Sequence, residues 1–529
     1  MSPTEKGGEP VVELRSIAKR FGSVQANSGL NLSVRAGTIH AVVGENGAGK
    51  STAMKILYGQ YKPDEGEILV RGASVHWHSP RDAIAAGIGM VHQHFMLAGP
   101  YSVVENVLLG DEGSFVFSRT QARERLSKIS RESGFPEMNW DACVEDLPVG
   151  IQQRIEILKL LYREAQVLIL DEPTAVLTPQ ETQELFTHLR AMVRDQGKTV
   201  IVITHKLQEV MRFSDRVTVM RAGSSVAELE TAKTSVDELA QLMVGRKVNL
   251  KTGGEEGARS KPQSSQPAVS LAGVSVPGLS RPLRGIDLEV FPGEIVGIAG
   301  VEGNGQSELL QFLMHPSEYY KEDGATGSYR YFGEDVSRFH NRDLKKRAFS
   351  AIPEDRHHEA ILMESNLEEN FLLGLHREPR FARSGLWVNR GALAAATRKA
   401  IAEHDVRPAD PQARCGRLSG GNQQKVVIAR ELDRGRGAGQ GAGDGPRFLI
   451  AAQPTRGVDI GAIEAIHRRI LDARARGLAV LLVSSELEEV LALSDRIGVM
   501  YGGRIAAWFE RGKVTEEELG FYMGGGGAS

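Results

Sequence analysis

The sequence runs to 529 residues, 41% of them hydrophobic and 25% charged, which is ordinary globular composition and long enough for two cores. Lys and Arg number 64 against 67 Asp and Glu, a formal charge of −3, so the chain lacks the basic excess of a protein that binds nucleic acid through phosphate contacts. Two cysteines, Cys143 and Cys415, make no disulfide framework, suit a reducing compartment, and read as buried, inert thiols.

The opening residues, MSPTEKGGEP (1–10), are polar and lack the apolar core of a signal peptide. No run approaches the ~18 apolar residues of a membrane span. The chain is therefore expected to be cytoplasmic, with any membrane role exerted through partners. From residue 11 onward, short apolar runs bounded by Gly or polar turns predict buried strands: IHAVV (39–43), VLILD (167–171) and VIVIT (200–204). RDAIAAG (81–87) and QELFTHLRAMVRDQG (183–197) predict helices between them. Strands alternating with helices imply a parallel sheet covered on both faces. The stretch from about 95 to 165 reads as a mostly helical lobe.

Residues 246–267, RKVNLKTGGEEGARSKPQSSQP, are polar and hold Gly, Ser and Pro without apolar periodicity, the composition of a linker. Beyond them the pattern is written again. EIVGIAGVEGNGQSELLQFL (294–313) matches TIHAVVGENGAGKSTAMKIL (38–57), and SDRIGVMYGG (494–503) matches SDRVTVMRAG (214–223). A repeat at this distance is a domain duplication. The second copy has its helical lobe at about 355–440 and carries an extra RGRGAGQGAGDGP (434–446), too Gly-rich for packed structure and read as a surface loop. The last residues, 524–529, form a Gly-rich tail.

The chemistry is concentrated in the first copy. GENGAGKS (44–51) follows a strand, opens a helix and fits G-x-x-x-x-G-K-[ST]. Its glycines let the loop curl so that backbone N–H groups face phosphate oxygens, and the helix adds its positive end. Lys50 then supplies charge to the β- and γ-phosphates, and the Ser51 hydroxyl a ligand for Mg²⁺. Asp171 and Glu172 sit at the carboxyl end of a buried strand, where open α/β sheets bind ligands. Asp171 is expected at the metal and Glu172 at the attacking water. His205 ends the next strand, and Gln93 lies between the two phosphate motifs, placed to sense metal and water.

These motifs resemble those of the ABC ATPases, over nearly the whole chain. The most specific mark is LSGGNQQKVVIAREL (418–432), similar to that family's signature sequence. The resemblance implies an α/β fold of two tandem P-loop NTPase domains, 11–245 and 268–523. Each would have a mainly parallel sheet core, a small antiparallel β region and a helical lobe. It implies that ATP and Mg²⁺ are bound, and that two domains sandwich nucleotide head to tail. ATP-binding residues would be Gly44, Glu45, Asn46, Gly47, Ala48, Gly49, Lys50, Ser51 and Thr52 from one domain, and Ser419, Gly420, Gly421 and Asn422 from the other. Gln93, Asp171 and His205 match the family's Gln loop, metal carboxylate and switch histidine. Phe21 matches its adenine-stacking aromatic, although an aromatic beside a strand equally suits core packing.

The second copy departs from the pattern. Gln306 replaces the loop lysine between Gly300, Gly305 and Ser307; Ala452 and Gln453 replace the two carboxylates; Ser485 replaces the histidine; Glu354 stands at the Gln-loop position. The first copy's own signature is altered, with Pro148 in place of serine, and Thr178 stands where the second copy keeps Asp459. Under head-to-tail pairing the intact elements collect at one site and the altered ones at the other, which argues that the two halves close on each other. The strings MVHQHFML (90–97), GVEGNGQSEL (300–309), IPEDRH (352–357) and AAQPTRGVD (451–459) are similar to those of bacterial importers of nucleosides and simple sugars, and the first leans towards nucleosides. That resemblance implies two integral membrane permease subunits and an extracytoplasmic solute-binding protein as partners, no nucleic acid, and a place on the cytoplasmic face of the membrane. The apolar segment 92–101 suits a permease-docking surface, and Met96 and Leu97 in it suit core packing as well. His92, His94, His357 and His358 lack further ligands at metal spacing. A soluble tandem ABC protein acting on ribosomes generally keeps both sites and a long charged helical linker, which this chain does not.

Overall fold

A computed structural model describes residues 9–22, 24–93, 95–110, 119–174, 177–246, 264–383, 387–433, 446–458 and 460–526. The greater part of the expected linker, the Gly-rich stretch at 434–445, His94, Asp459 and the chain ends at 1–8 and 527–529 lie outside the described residues. The chain divides into two compact units, Met1–Val248 and Asn249–Ser529.

In the first unit, β1 (Pro10–Phe21), β2 (Val24–Arg35), β4 (Glu65–Val70) and β5 (Ala73–Val75) form an antiparallel sheet in the order β2-β1-β4-β5. The larger sheet joins β3 (Ile39–Gly44), β6 (Ile88–Val91), β7 (Val167–Asp171), β8 (Thr199–Ile203), β9 (Arg216–Arg221) and β10 (Ser224–Glu230) in the order β10-β9-β3-β8-β7-β6. All its pairings are parallel except β9 with β10. Every residue of β3, β7 and β8 is buried, which is why they read as unbroken apolar runs rather than alternating ones. Ile169 and Ile201 pack with Met54, Ile56 and Leu57 on one face, and Leu168 and Val200 with Leu185, Leu189 and Met192 on the other.

The second unit repeats this plan. β11 (Val269–Val276), β12 (Leu283–Val290), β14 (Thr326–Tyr331) and β15 (Glu334–Asp335) form the antiparallel sheet. β13 (Ile295–Ala299), β16 (Phe349–Ile352), β19 (Phe448–Ala452), β20 (Ala479–Ser484), β21 (Arg496–Tyr501) and β22 (Arg504–Glu510) run in the order β16-β19-β20-β13-β21-β22, the same neighbours as in the first unit. The helical lobe departs in one respect from the reading of 355–440 as mostly helix. A short hairpin of β17 (Ala382–Arg383) and β18 (Trp387–Val388) is inserted in it, too short to give a periodic signal.

Local chemistry sets the helix ends. Thr178, singled out for its departure from aspartate, caps the helix Pro179–Gln196: its hydroxyl accepts from the Glu181 N–H, and the Glu181 carboxylate returns to the Thr178 N–H. Among the described residues no helix is long and apolar enough to cross a membrane. Cys415 is buried as expected, whereas Cys143 is only half-buried, its thiol donating to the Gly99 carbonyl at 3.2 Å.

Candidate functional site

The sheet order brings the expected residues of the first unit together. β3, β8 and β7 are neighbours in register, with Val42 and Asp171 both opposite Ile203. The phosphate loop after β3, the carboxylates ending β7 and the histidine after β8 therefore emerge side by side at one edge of the sheet. This is where a parallel sheet presents its loops to a ligand.

The loop Gly44–Gly49 leads into the helix Lys50–Leu57. Gly49 has φ 92°, and a Cβ there would run into the Ala26 carbonyl and the Asn27 amide, so only glycine passes between them. Asn27, buried on β2, donates to the Gly49 carbonyl at 3.1 Å and ties the antiparallel sheet to the loop. Nothing in the sequence pattern marks Asn27; its role comes from a pairing across the fold. Asn46 and Gly47 are exposed at the loop's tip and Ala48 is buried. Lys50 is 6% exposed, its ammonium donating to the carbonyls of Gly44 at 2.7 Å and Glu45 at 3.0 Å. Thr52 follows in the first helical turn, half-buried.

Ser51 donates to Asp171 at 3.4 Å. Burial, reinforced by the adjacent Glu172 charge, holds the Asp171 carboxyl above its ordinary range against the Ser51 hydrogen bond. A buried carboxylate beside a hydroxyl is a donor set that fits a hard divalent cation. Glu172 stands at φ 49°, a left-handed backbone that a carboxylate side chain adopts rarely. Its two oxygens face two partners: His205 Nδ1 at 3.1 Å and Gln93 Nε2, which donates at 3.2 Å. Burial pushes the Glu172 carboxyl up, but the His205 bond and charge, with Lys50 and Lys206, outweigh it and leave Glu172 below the usual range. Lys206 donates to the Thr174 carbonyl at 3.3 Å, and Thr174 to Glu209 at 2.8 Å; Lys206 and Glu209 lie outside the motifs singled out by sequence.

Phe21, at the end of β1, is 42% exposed and meets Tyr61 edge-on at 5.2 Å. It is thus a surface aromatic, not a core one. Met96 is 63% exposed, while Leu97 packs against the helical lobe.

The second unit brings the altered residues together in the same arrangement. Gly305 has φ 110° before the helix Gln306–Met314. Gln306, 6% exposed, donates to the Val301 carbonyl at 3.0 Å and accepts from the Asn304 N–H at 3.2 Å. Ser307 donates to Glu354 at 2.6 Å. Gln453 keeps the left-handed backbone at φ 45°, and its amide oxygen accepts from the Ser485 hydroxyl at 3.2 Å and N–H at 3.3 Å. A cavity of about 600 Å³ opens here beside Gly300, Glu302, Gln306, Ser307, Glu354 and Gln453. Its further lining adds Asp355 and Glu359, set against Arg356 and Arg456, so carboxylates predominate where a triphosphate would need cations. The second signature, Ser419–Asn422, opens the helix Gly420–Asp433, where the Ser419 hydroxyl accepts from the Asn422 amide at 2.9 Å. The matching helix in the first unit, Val149–Tyr162, begins at Pro148 without a side-chain cap.

Fold and sites together define a tandem P-loop ATPase with one charged and one neutralised phosphate loop. The ABC transporter family matches residues 27–175 and 283–436. Over 521 residues the chain is 43% identical to the guanosine import ATP-binding protein NupO of Bacillus subtilis, covering 98% of each chain. It is 41% identical to the nucleoside import ATP-binding protein NupA of Lactococcus lactis subsp. cremoris, covering 98% of this chain and 99% of that one. The glucose import ATP-binding protein TsgD13 of Haloferax volcanii is 39% identical, with 98% and 96% covered. The chain belongs to the ABC transporter family and is one of its ATP-binding ATPases.

Proposed function

We propose that the chain is the energy-supplying subunit of a nucleoside importer, working at the cytoplasmic face of the membrane with two permease subunits and an extracytoplasmic binding protein. The observation that carries the mechanism is Glu172 held between His205 and Gln93, a constellation for which the second unit substitutes Gln453 and Ser485. One carboxylate, ionised at neutral pH, orients the attacking water and takes its proton; an amide at the equivalent place has no basic oxygen to do so. The loop N–H groups and Lys50 hold the phosphates. Mg²⁺, held by Ser51 and Asp171, would offset the charge on the phosphate oxygens. Exposed Phe21 offers a stacking face for the adenine.

The pairing of the halves rests on the way the alterations segregate. On that pairing, Ser419, Gly420 and Gly421 would serve the ATP held by the first unit, and the altered Pro148 signature would be left to the neutralised loop. A ground for the nucleoside class is that two similar proteins are named for guanosine and nucleoside import. The glucose-importing relative keeps simple sugars as the second reading.

The test is affinity purification of the Glu172→Gln variant with ATP in mild detergent, which traps the closed state. Co-purification of integral membrane permeases is the expected result, followed by loss of nucleoside uptake when this chain is deleted. Ribosomal proteins in their place overturn the importer reading; sugar uptake lost with nucleoside uptake intact overturns the solute.

A further inference from the structure

We infer that Arg356 is a positioning residue for the signature turn of its own unit, holding Ser419–Gly421 in place through the loop that follows β19. The motif matches give Arg356 no task. The inference rests on the proposed pairing, in which this turn acts on ATP held by the first unit.

The geometry begins at Asp355. Its carboxylate accepts from the N–H groups of His357 at 2.9 Å and His358 at 3.1 Å, capping the short helix Arg356–Glu359 and fixing the backbone from which Arg356 projects. The guanidinium then reaches across to the loop beyond Gln453. Nη1 donates to the Arg456 carbonyl at 2.7 Å and Nη2 to the Gly457 carbonyl at 3.5 Å. Gly420, which opens the signature helix, lies against the same two groups. A Cβ at Gly420 would sit 2.6 Å from the Gly457 oxygen and 2.7 Å from Arg356 Nη2. Guanidinium, loop carbonyl and signature turn are thus packed with no space for one added methyl group.

The next residue makes a second tie to the same helix. His357 Nε2 lies 2.9 Å from Gln423 Oε1. An amide oxygen only accepts, so this nitrogen carries the proton. Gln423 in turn donates to the Cys415 carbonyl at 3.2 Å. Two consecutive side chains therefore grip the start of the helix Gly420–Asp433, one through the loop and one directly.

Among the described residues the first unit ties its matching helix differently, with the Met96 N–H donating to Glu156 and the Gln153 amide to the Pro173 carbonyl, and no guanidinium takes part in either bond. Phe95 and Met96 stand in sequence where Arg356 and His357 do, and the signature there begins with Pro148. The grip exists in the unit whose signature retains its serine. A planar guanidinium suits the task because it donates in two directions to the carbonyls of successive residues, which an ammonium on a flexible stem does less well. Its effect on chemistry is remote: Arg356 touches no reacting atom, and acts by keeping the Ser419 hydroxyl and the helix N–H groups at a fixed place. Misplacement by about 1 Å of a positioning element costs on the order of 10²-fold in rate.

The experiment uses the full chain and reads three quantities: steady-state kcat and KM for ATP, the equilibrium Kd of a fluorescent ATP analogue in the presence of EDTA, and the unfolding midpoint. Arg356→Ala is expected to lower kcat by about 10- to 100-fold, with the Kd within about twofold and the unfolding midpoint close to wild type. Arg356→Lys recovers part of the rate, His357→Ala shows a smaller fall, and Arg414→Ala, which removes an exposed guanidinium paired with Glu364, changes nothing. Ser419→Ala separates the two ideas. If Ser419→Ala lowers kcat and Arg356→Ala does not, the pairing stands and the brace is wrong. If Ser419→Ala itself leaves kcat unchanged, the pairing is wrong and the brace falls with it. A rate loss that only follows a loss of folded protein also overturns the brace; should Arg356→Ala not fold, Arg356→Lys with wild-type kcat does the same.

Discussion

The two phosphate loops differ at their central side chain and yet make nearly the same bonds. Lys50 donates to the Glu45 carbonyl at 3.0 Å, and Gln306 donates to the equivalent Val301 carbonyl at 3.0 Å. Glu172 and Gln453 both hold a left-handed backbone, at φ 49° and φ 45°. Each takes a partner from the end of the neighbouring strand, His205 in one case and Ser485 in the other. The second unit has kept the shape of the site and lost its charge. An amide replaces an ammonium or a carboxylate as a hydrogen-bond partner at small structural cost, so the loop folds without them. It cannot replace either as a countercharge to phosphate or as a base.

That comparison is broken most severely at Glu172. Glu172→Gln gives the first unit the second unit's residue, and steady-state kcat should fall by about 10²- to 10⁴-fold, the usual weight of a general base. The reverse change, Gln453→Glu, should leave kcat within about twofold, because Gln306, Ala452 and Ser485 still withhold the rest of the site. A Gln453→Glu protein whose residual ATPase survives Glu172→Gln would show that the second site needed only its base.

Lys50→Gln tests the loops in the same way, with a smaller effect. The variant should fold normally, since Gln306 demonstrates that glutamine satisfies the loop carbonyl, and ATP affinity should weaken about 10- to 100-fold through loss of one charge-assisted contact. Calorimetry on wild type should find one high-affinity ATP per chain. The carboxylates of Glu302, Glu354, Asp355 and Glu359 around the second loop oppose a second polyanion, and two equal sites would sink that account.

Much of this was legible in the residues. Strands buried on both faces announce themselves as apolar runs, and a loop that must cradle phosphate is short, local and rich in glycine. Asp171, Glu172 and His205 could be found because each ends such a run. What stayed hidden depends on side chains meeting across the fold. Asn27 lies 22 residues before Gly49 and carries no motif, yet it supports the loop. Arg356 lies 100 residues before the carbonyl it holds. Exposure was equally beyond the string of letters: Phe21 proves to be a surface aromatic, and Cys143 is half-open where a buried thiol was expected. The pairing of β17 with β18 escaped because strands of two residues have no period.

The strands under the loops carry a further difference, and it is readable by pH. His40 on β3 is fully buried with Nε2 2.8 Å from the Thr218 hydroxyl on β9, and the corresponding positions of β13 and β21 are Val296 and Gly498. Burial, with the nearby Arg216 charge, pushes the His40 pKa down from 6.5 to about 3. The folded first unit therefore refuses a proton that the unfolded chain accepts below 6.5. Stability is complete above that pH and declines as pH falls towards 3, by about 2 kcal/mol at pH 5. Unfolding midpoints of the first unit measured between neutral pH and pH 5 should show this slope, and His40→Val should flatten it whatever its effect at neutral pH. An unchanged slope in that variant would assign the acid sensitivity elsewhere.

The smallest effect concerns the two thiols, and again the units instruct each other. Val144 and Cys415 each begin a short 3₁₀ turn just ahead of a signature, and each is buried, at 1% and 0% exposure. Cys415 thus fills a valine's place, with its thiol pushed up to about 11 by burial despite the Arg430 charge. A thiol in that position is a small hydrophobic group first and a nucleophile hardly at all. Cys415→Val, which copies the first unit, should change stability by less than about 1.5 kcal/mol and leave ATPase activity at wild-type level. Maleimide at neutral pH should modify Cys143 in the native protein and reach Cys415 only once the second unit unfolds. Prompt native labelling of Cys415 would mean that the turn before the signature opens, and that the equivalence with Val144 is one of sequence position and not of packing.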